Sequence, residues 1–315
     1  MQHFTSVHDV TNPLGLVQKA LSIKKNPFAL KALGANKTLG LLFFNSSLRT
    51  RMSSQKAAAN LGMDVIVMNV TQDSWQIEME DGVVMDGGTA EHIREAAAVM
   101  GQYCDILGVR SFPSLTDREA DYNERIINAF KHHSGTPIVS LESATLHPLQ
   151  SLADLITIAE YKKADKPKVV LTWAPHIKAL PQAVSNSFAQ WVNKTDYDFT
   201  IVQPEGFELK EEFTKGANIA YDQKEAFNGA DFIYVKNWSS YNDYGKVGTA
   251  KDWLINQEKL AVTNQAKVMH CLPVRRNVVI ADDVLDSQSS IVIPQAGNRV
   301  YSAQVVFQTV LETHG

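Results

Sequence analysis

The chain has only two cysteines in 315 residues, Cys104 and Cys271. One lies in an apolar strand-like segment and the other in His270-Cys271-Leu272-Pro273, so a disulfide framework is excluded as the basis of the fold and a reducing cytoplasm is expected. No long block of one charge sign occurs, because 34 acidic residues offset 30 basic ones for a formal charge of -4. That balance leaves no footprint for nucleic acid or an anionic membrane surface. No apolar run approaches the roughly 20 residues of a membrane span, and no basic region followed by an apolar core opens the chain. The triplets at Asn45, Asn193 and Asn237 that resemble glycosylation acceptors are then chance matches. GxxxxGK[ST] and GxGxxG elements are both missing, which removes the pattern grounds for a nucleotide site and disfavours a lactate/malate-type dehydrogenase. A single His-Cys pair has too few ligands for structural zinc, so no metal and no cofactor are expected.

What is present is length and rhythm. A chain with 44% hydrophobic residues exceeds what one core usually organises, and two α/β domains follow. Short apolar runs at 38–44, 63–69, 104–109 and 137–140 alternate with helix-like stretches at 49–60, 90–101 and 122–132. Two short helices are expected before them, up to about Gly34. After a long helix-like segment at 149–161 the alternation resumes, with strands expected at 168–173, 198–202, 232–236, 268–271 and 290–293 and helices at 180–191, 208–215 and 222–227. Alternating strand and helix implies doubly wound, mostly parallel sheets. The proline-punctuated stretch 145–149 places the boundary, giving domains 1–146 and 147–299, with a last helix near 300–313 packing back on the first.

Most polar residues of interest stand where a strand runs out, which is where an open α/β sheet binds ligands. Asn45 to Arg51, NSSLRTR, follows the run 39–44. A helix starting there turns free amides, the Ser47 and Thr50 hydroxyls and the forked Arg49 guanidinium toward a phosphate; the competing reading is an ordinary cap with solvated arginines. Arg110 ends the next strand, on the same edge or simply facing solvent. His147 and Gln150 in His147-Pro148-Leu149-Gln150 offer donors to a carbonyl oxygen, or else only open a helix. Glu142 can receive an amine or be a plain acidic residue. In the second half His176 follows one strand and Lys236 ends another, so the two can converge on a carboxylate, or stay solvated. Cys271 is either a contact for the transferred amine or a small buried hydrophobe, and the arginines after it supply positive charge to an anionic intermediate. Trp75, among polar residues, is suited to cap a pocket or an intersubunit contact, and Asp86-Gly87-Gly88 permits a closing loop.

Ser47 to Arg51, His147 to Gln150 and His270 to Pro273, in that order, resemble the aspartate/ornithine carbamoyltransferase family over nearly the whole chain, and within it the branch acting on N-acylated ornithine. The resemblance implies an active site in the interdomain cleft. There Ser47, Leu48, Arg49, Thr50, Arg110, His147, Gln150, Arg275 and Arg299 hold carbamoyl phosphate, with Arg110 and His147 directed to the carbamoyl oxygen. It assigns Glu142, His176, Lys236, Cys271 and Leu272 to the acylornithine, and Trp75 to a neighbouring subunit's site in a homotrimer. Ordinary ornithine enzymes carry Asp-x-x-x-Ser-Met-Gly, whereas this chain has Trp173-Ala174-Pro175-His176 and Lys236-Asn237-Trp238. Acetyl-type members carry Glu at the position of Ala90 and succinyl-type members Pro; a carboxylate there would repel a succinyl group, and Ala90 removes that repulsion. They also carry Lys where this chain has Arg275. Transfer of a carbamoyl group to N-succinyl-L-ornithine is therefore expected. The alternatives are N-acetylornithine as acceptor, or a catalytically silent subunit that binds an acylated amino acid.

Overall fold

The computed structural model describes residues 1–248 and 250–314. By compactness the chain forms two units: Met1–Pro113, Glu119–Leu149 and Arg299 onward make the first, Ser114–Arg118 and Gln150–Asn298 the second. His147 and Arg299 thus belong with the first unit and Gln150 with the second.

In the first unit the strands are β1 (Thr38–Phe43), β2 (Asp64–Asn69), the short pair β3 (Ile77–Glu78) and β4 (Glu91–His92), β5 (Ile106–Arg110) and β6 (Ile138–Glu142). The main sheet is parallel in the order β2-β1-β5-β6. β1 and β5 are central and almost wholly buried, which is why they read as unbroken apolar runs, while β2 at the edge leaves Asp64 and Ile66 exposed. The helix Leu48–Leu61 begins at Ser47, whose hydroxyl accepts from the Thr50 amide, and stops at Gly62 in a left-handed conformation (φ 80°). Leu42, Leu107, Val109, Phe130 and Ile138 centre the core.

In the second unit the strands are β7 (Lys168–Trp173), β8 (Asp198–Val202), β9 (Asn218–Ala220), β10 (Phe232–Lys236) and β11 (Lys267–Met269), parallel in the order β11-β10-β7-β8-β9. Its core is aromatic, with Trp173, Trp191, Trp238, Tyr234, Phe188 and Phe232 fully buried.

Three expectations need correction. The run at 290–293 is not a strand: Ser290 makes one isolated bridge to Val268, and a 23-residue helix, Val292–His314, begins directly after it. Pro294 sits in the first turn, where its missing N–H costs nothing and its fixed φ favours a helix. The helix at 208–215 shrinks to Glu211–Thr214. The stretch 122–132 divides into Arg118–Tyr122 and Arg125–His133, separated at Glu124, whose φ of 50° interrupts the helix.

Candidate active site

Strand order places each cluster. In the first sheet the chain runs from β1 to β2 on one side and then to β5 on the other, so the switch point lies between β1 and β5. Phe43 and Arg110 are register partners there, which sets the NSSLRTR segment beside Arg110. Arg110 is buried and almost fully committed. Its Nε and Nη2 donate to Glu142 Oε2 at 3.3 and 3.0 Å, and its Nη1 donates to the backbone carbonyls of Asn45, at 3.1 Å, and Ser46. Its guanidinium also lies 4.3 Å from the Phe112 ring centroid. Of five N–H donors these bonds leave one, on Nη2, for a ligand. His147 Nε2 lies 3.7 Å from the same Glu142 oxygen, and none of these contacts uses Glu142 Oε1.

Ser47 and Thr50 occupy the start of the helix, Leu48 projects into solvent, and Arg49 is half-buried. Arg299 Nη2 donates to Thr50 Oγ1 at 2.5 Å, so a second buried guanidinium reaches this helix end. The result is a helix N-terminus flanked by hydroxyls and cations, suited to a phosphate dianion.

The second sheet repeats the device. Its switch point lies between β7 and β10, and Lys236 is the register partner of Trp173. His176, three residues past Trp173, accepts at Nε2 from Arg275 Nε at 3.3 Å. Its other ring nitrogen, Nδ1, faces the backbone of Lys178, 3.0 Å from the carbonyl oxygen and 3.1 Å from the amide nitrogen. Burial, and then the charges of Lys236, Arg275 and Lys178, hold the imidazole below its usual pKa, against a hydrogen bond to Lys178 that raises it. His176 thus holds Arg275 at one ring nitrogen, and the charges of Lys236 and Lys178 act on the same imidazole. Lys236 itself is buried and has no ion-pair partner among the described residues.

Arg275 and Arg276 part company. Arg276 donates to Asp282 and Asp286 at 2.7 to 3.0 Å, so its charge is consumed locally and only Arg275 remains with the site group. The expectation that both arginines serve an anionic intermediate fails for Arg276. Cys271 is buried, and the His270 ring accepts from the Leu272 amide at 2.8 Å, just before the cis peptide Leu272-Pro273.

Two heavily hydrogen-bonded carboxylates escaped the sequence, one buried and one part-buried. Asp154, wholly buried, accepts from Gln150 Nε2 at 2.8 Å and Gln295 Nε2 at 2.7 Å, while Gln295 Oε1 accepts from the His270 amide at 2.8 Å. Gln150 and the His270–Pro273 segment are therefore tied to one acid. Glu124 is the other. Only the four-residue spacing of Gln150 and Asp154 on one helix face offered a signal.

Trp75 is 58% exposed, with its indole N–H on Glu91 Oε2 at 2.9 Å. Ala90 is exposed, and its amide donates to Gln76 O beside the β3–β4 pair. The loop between these strands is anchored at one end, Glu80 pairing with Arg125 and Asp81 with Arg94.

Two doubly wound parallel sheets, each with basic side chains at its switch point, define a two-domain α/β protein suited to anionic small molecules. Residues 2–160 match the model of the aspartate/ornithine carbamoyltransferase carbamoyl-P binding domain, and residues 181–310 that of the Asp/Orn binding domain. The chain belongs to the aspartate/ornithine carbamoyltransferase family. It is 56% identical to the N-succinylornithine carbamoyltransferase of Bacteroides fragilis, with 99% of each chain covered. It is 34% identical to the N-acetylornithine carbamoyltransferase of Xylella fastidiosa, with 97% of each covered. A crystal structure of a Glu-to-Ala mutant of N-acetyl-L-ornithine transcarbamylase, complexed with carbamyl phosphate and N-succinyl-L-norvaline, superimposes with a TM-score of 0.92 at 31% identity, covering 98% of this chain and all of that one.

Proposed function

We propose that this carbamoyltransferase moves the carbamoyl group of carbamoyl phosphate to the δ-amine of N-succinyl-L-ornithine, giving N-succinyl-L-citrulline and phosphate, as a step of arginine biosynthesis. The observation that supports the choice of acceptor is the second switch point, where Arg275 donates to His176 and Lys236 ends the neighbouring strand opposite Trp173. N-succinylornithine brings two carboxylates to such a group and N-acetylornithine one. Ala90 adds no opposing charge, unlike the Glu that acetyl-type members carry.

Carbamoyl phosphate is held by the first-unit groups, its phosphate at Ser47, Arg49, Thr50 and Arg299 and its carbamoyl oxygen at the remaining Arg110 N–H and His147. Gln150 completes its contacts. The acceptor's acylated end lies at His176, Lys236 and Arg275, and Glu142 Oε1 accepts from its nitrogen. A δ-amine with a pKa near that of Lys, about 10.4, is mostly protonated at neutral pH, so productive binding releases a proton. The neutral amine attacks, the C–N bond forms, and Arg49, Thr50, Arg110 and His147 stabilise the oxyanion. The C–O bond to phosphate then breaks, and the leaving phosphate takes the amine proton. Cys271 and Leu272 orient the amine, with no covalent role. Loss of the carbamoyl-phosphate groups would mark a silent subunit, and Arg49, Arg110 and His147 are all present.

We further propose a cytoplasmic homotrimer in which the exposed Trp75 completes a neighbour's site. No helix among the described residues is long and apolar enough to cross a membrane. Incubation with carbamoyl phosphate and, separately, ornithine, N-acetylornithine and N-succinylornithine tests the acceptor, read by phosphate and carbamoylated product. Preference for the acetyl compound overturns the choice.

A further inference from the structure

Glu124 stands outside every group assigned above, yet it is one of the most heavily engaged acids in the first unit. Its backbone is left-handed, φ 50° and ψ 39°, at the start of the helix Arg125–His133. A non-glycine residue is held there only when its surroundings over-determine it. The carboxylate supplies that constraint. Oε1 accepts from Ser143 Oγ at 2.6 Å, from the Thr145 amide at 2.7 Å and from Thr145 Oγ1, and Oε2 accepts from the Ala144 amide at 3.3 Å. Three consecutive residues thus converge on one side chain.

Those residues form the turn between β6 and the helix Pro148–Tyr161, closed on itself by the Ser143 amide donating to Leu146 O at 2.8 Å. Immediately before the turn stands Glu142, and immediately after it His147, 3.7 Å apart around Arg110. The turn therefore sets the separation of the acid and the imidazole.

We infer that Glu124 is a positioning residue for carbamoyl transfer, its carboxylate fixing the Ser143–Thr145 turn so that His147 and Glu142 keep their places beside Arg110. The inference rests on His147 acting at the carbamoyl oxygen. A displacement of about 1 Å at such a group can lower turnover on the order of 100-fold.

The test compares Glu124→Ala with Glu124→Gln in the full-length protein, counting active sites by titration with a phosphonate bisubstrate analogue. Glu124→Ala is expected to lower kcat per titrated site by roughly 10- to 100-fold while KM for the acylornithine changes less than about threefold. Glu124→Gln recovers most of the loss, because an amide oxygen in the Oε1 place still accepts from the Thr145 amide and both hydroxyls. An unchanged kcat per site in Glu124→Ala overturns the inference, as does a Gln variant as impaired as Ala. Should Glu124→Ala fail to fold, Thr145→Val decides, since it removes one hydroxyl and leaves the backbone bond. It should lower kcat several-fold and be non-additive with Glu124→Gln; full activity, or strictly additive losses, overturns the inference. Absence of carbamoyl transfer by the unaltered chain defeats the underlying function, whereas transfer that survives Glu124→Ala defeats only this inference.

Discussion

Replacing Arg110 by leucine should damage stability and turnover by separable amounts. Both side chains of the Arg110–Glu142 pair are under a tenth exposed, and the two guanidinium bonds fall on one carboxylate oxygen. Removing the arginine strands a buried charge, which costs about 3–5 kcal/mol. The Asn45 and Ser46 carbonyls also lose a donor, at about 1 kcal/mol each if water does not replace it. A drop of about 5–7 kcal/mol is a large share of the 5–15 kcal/mol or so that typical domains possess. Adding Glu142→Gln removes the stranded charge and should return about 2–3 kcal/mol. Turnover should not return. Loss of one preorganised donor to the oxyanion costs roughly 100- to 1000-fold in kcat, and the second substitution restores no donor. Urea unfolding followed by tryptophan fluorescence, alongside phosphate release, reads both quantities. A single variant destabilised by less than about 1 kcal/mol, or a double variant less stable than the single, refutes the account of a buried pair whose charge matters more than its packing.

Ala90→Glu places a carboxylate near the acyl end of the acceptor; at about 8 Å and an effective dielectric of about 20 the repulsion of a succinyl carboxylate is about 2 kcal/mol, roughly thirtyfold in the succinyl-to-acetyl ratio of kcat/KM. An unchanged ratio would show that the loop does not select the acyl group. His176 contributes as a neutral acceptor, and its pKa is depressed in the fold. Stability owed to it is present above the usual imidazole pKa of about 6.5 and fades as pH falls through the lowered folded value; unfolding curves of the unaltered chain and His176→Phe should converge in acid. Arg276→Gln should leave turnover intact while Arg275→Gln raises KM for the acylornithine, and equal effects would contradict the division of labour between them. Asp154→Ala should cost about 2–4 kcal/mol by leaving two buried glutamine amides without their acceptor, and Asp154→Asn distinctly less, both by thermal or urea unfolding.

The placement of the candidate residues was legible wherever strand ends and helix starts decided it. An apolar run followed by hydroxyls and a guanidinium marks the outgoing edge of a parallel strand, and Ser47, Arg110, His176 and Lys236 were found that way. Partner choice was not legible. Arg275 and Arg276 are the same residue type side by side, and only tertiary placement gives one to His176 and the other to Asp282 and Asp286. The run Ile291-Val292-Ile293 has the β-branched character of a strand, and Pro294 with the Gln295 amide bonding back to Ile291 turns it into a helix. Glu124 and Asp154 look like ordinary surface acids, because the hydrogen bonds that engage a lone carboxylate come from donors elsewhere in the chain.

The meeting of Arg110 with Glu142 depends on a feature that no residue pattern announces. β5 and β6 run in step through Leu107–Ile138, Gly108–Val139 and Val109–Ser140, and the register then slips so that Arg110 faces Glu142 and Leu141 is passed over. Side chains alternate faces with a period of two, so a slip of one residue carries an entire side chain to the opposite face. In unbroken register Arg110 would stand opposite Leu141, a fully buried core residue, and the guanidinium would have no carboxylate beside it. The irregularity keeps Leu141 in the core and delivers Glu142 to the arginine. Glu142 then leads directly into the turn that ends at His147. One skipped residue at the end of β6 thus joins the packing of the first sheet to the geometry of its charged groups.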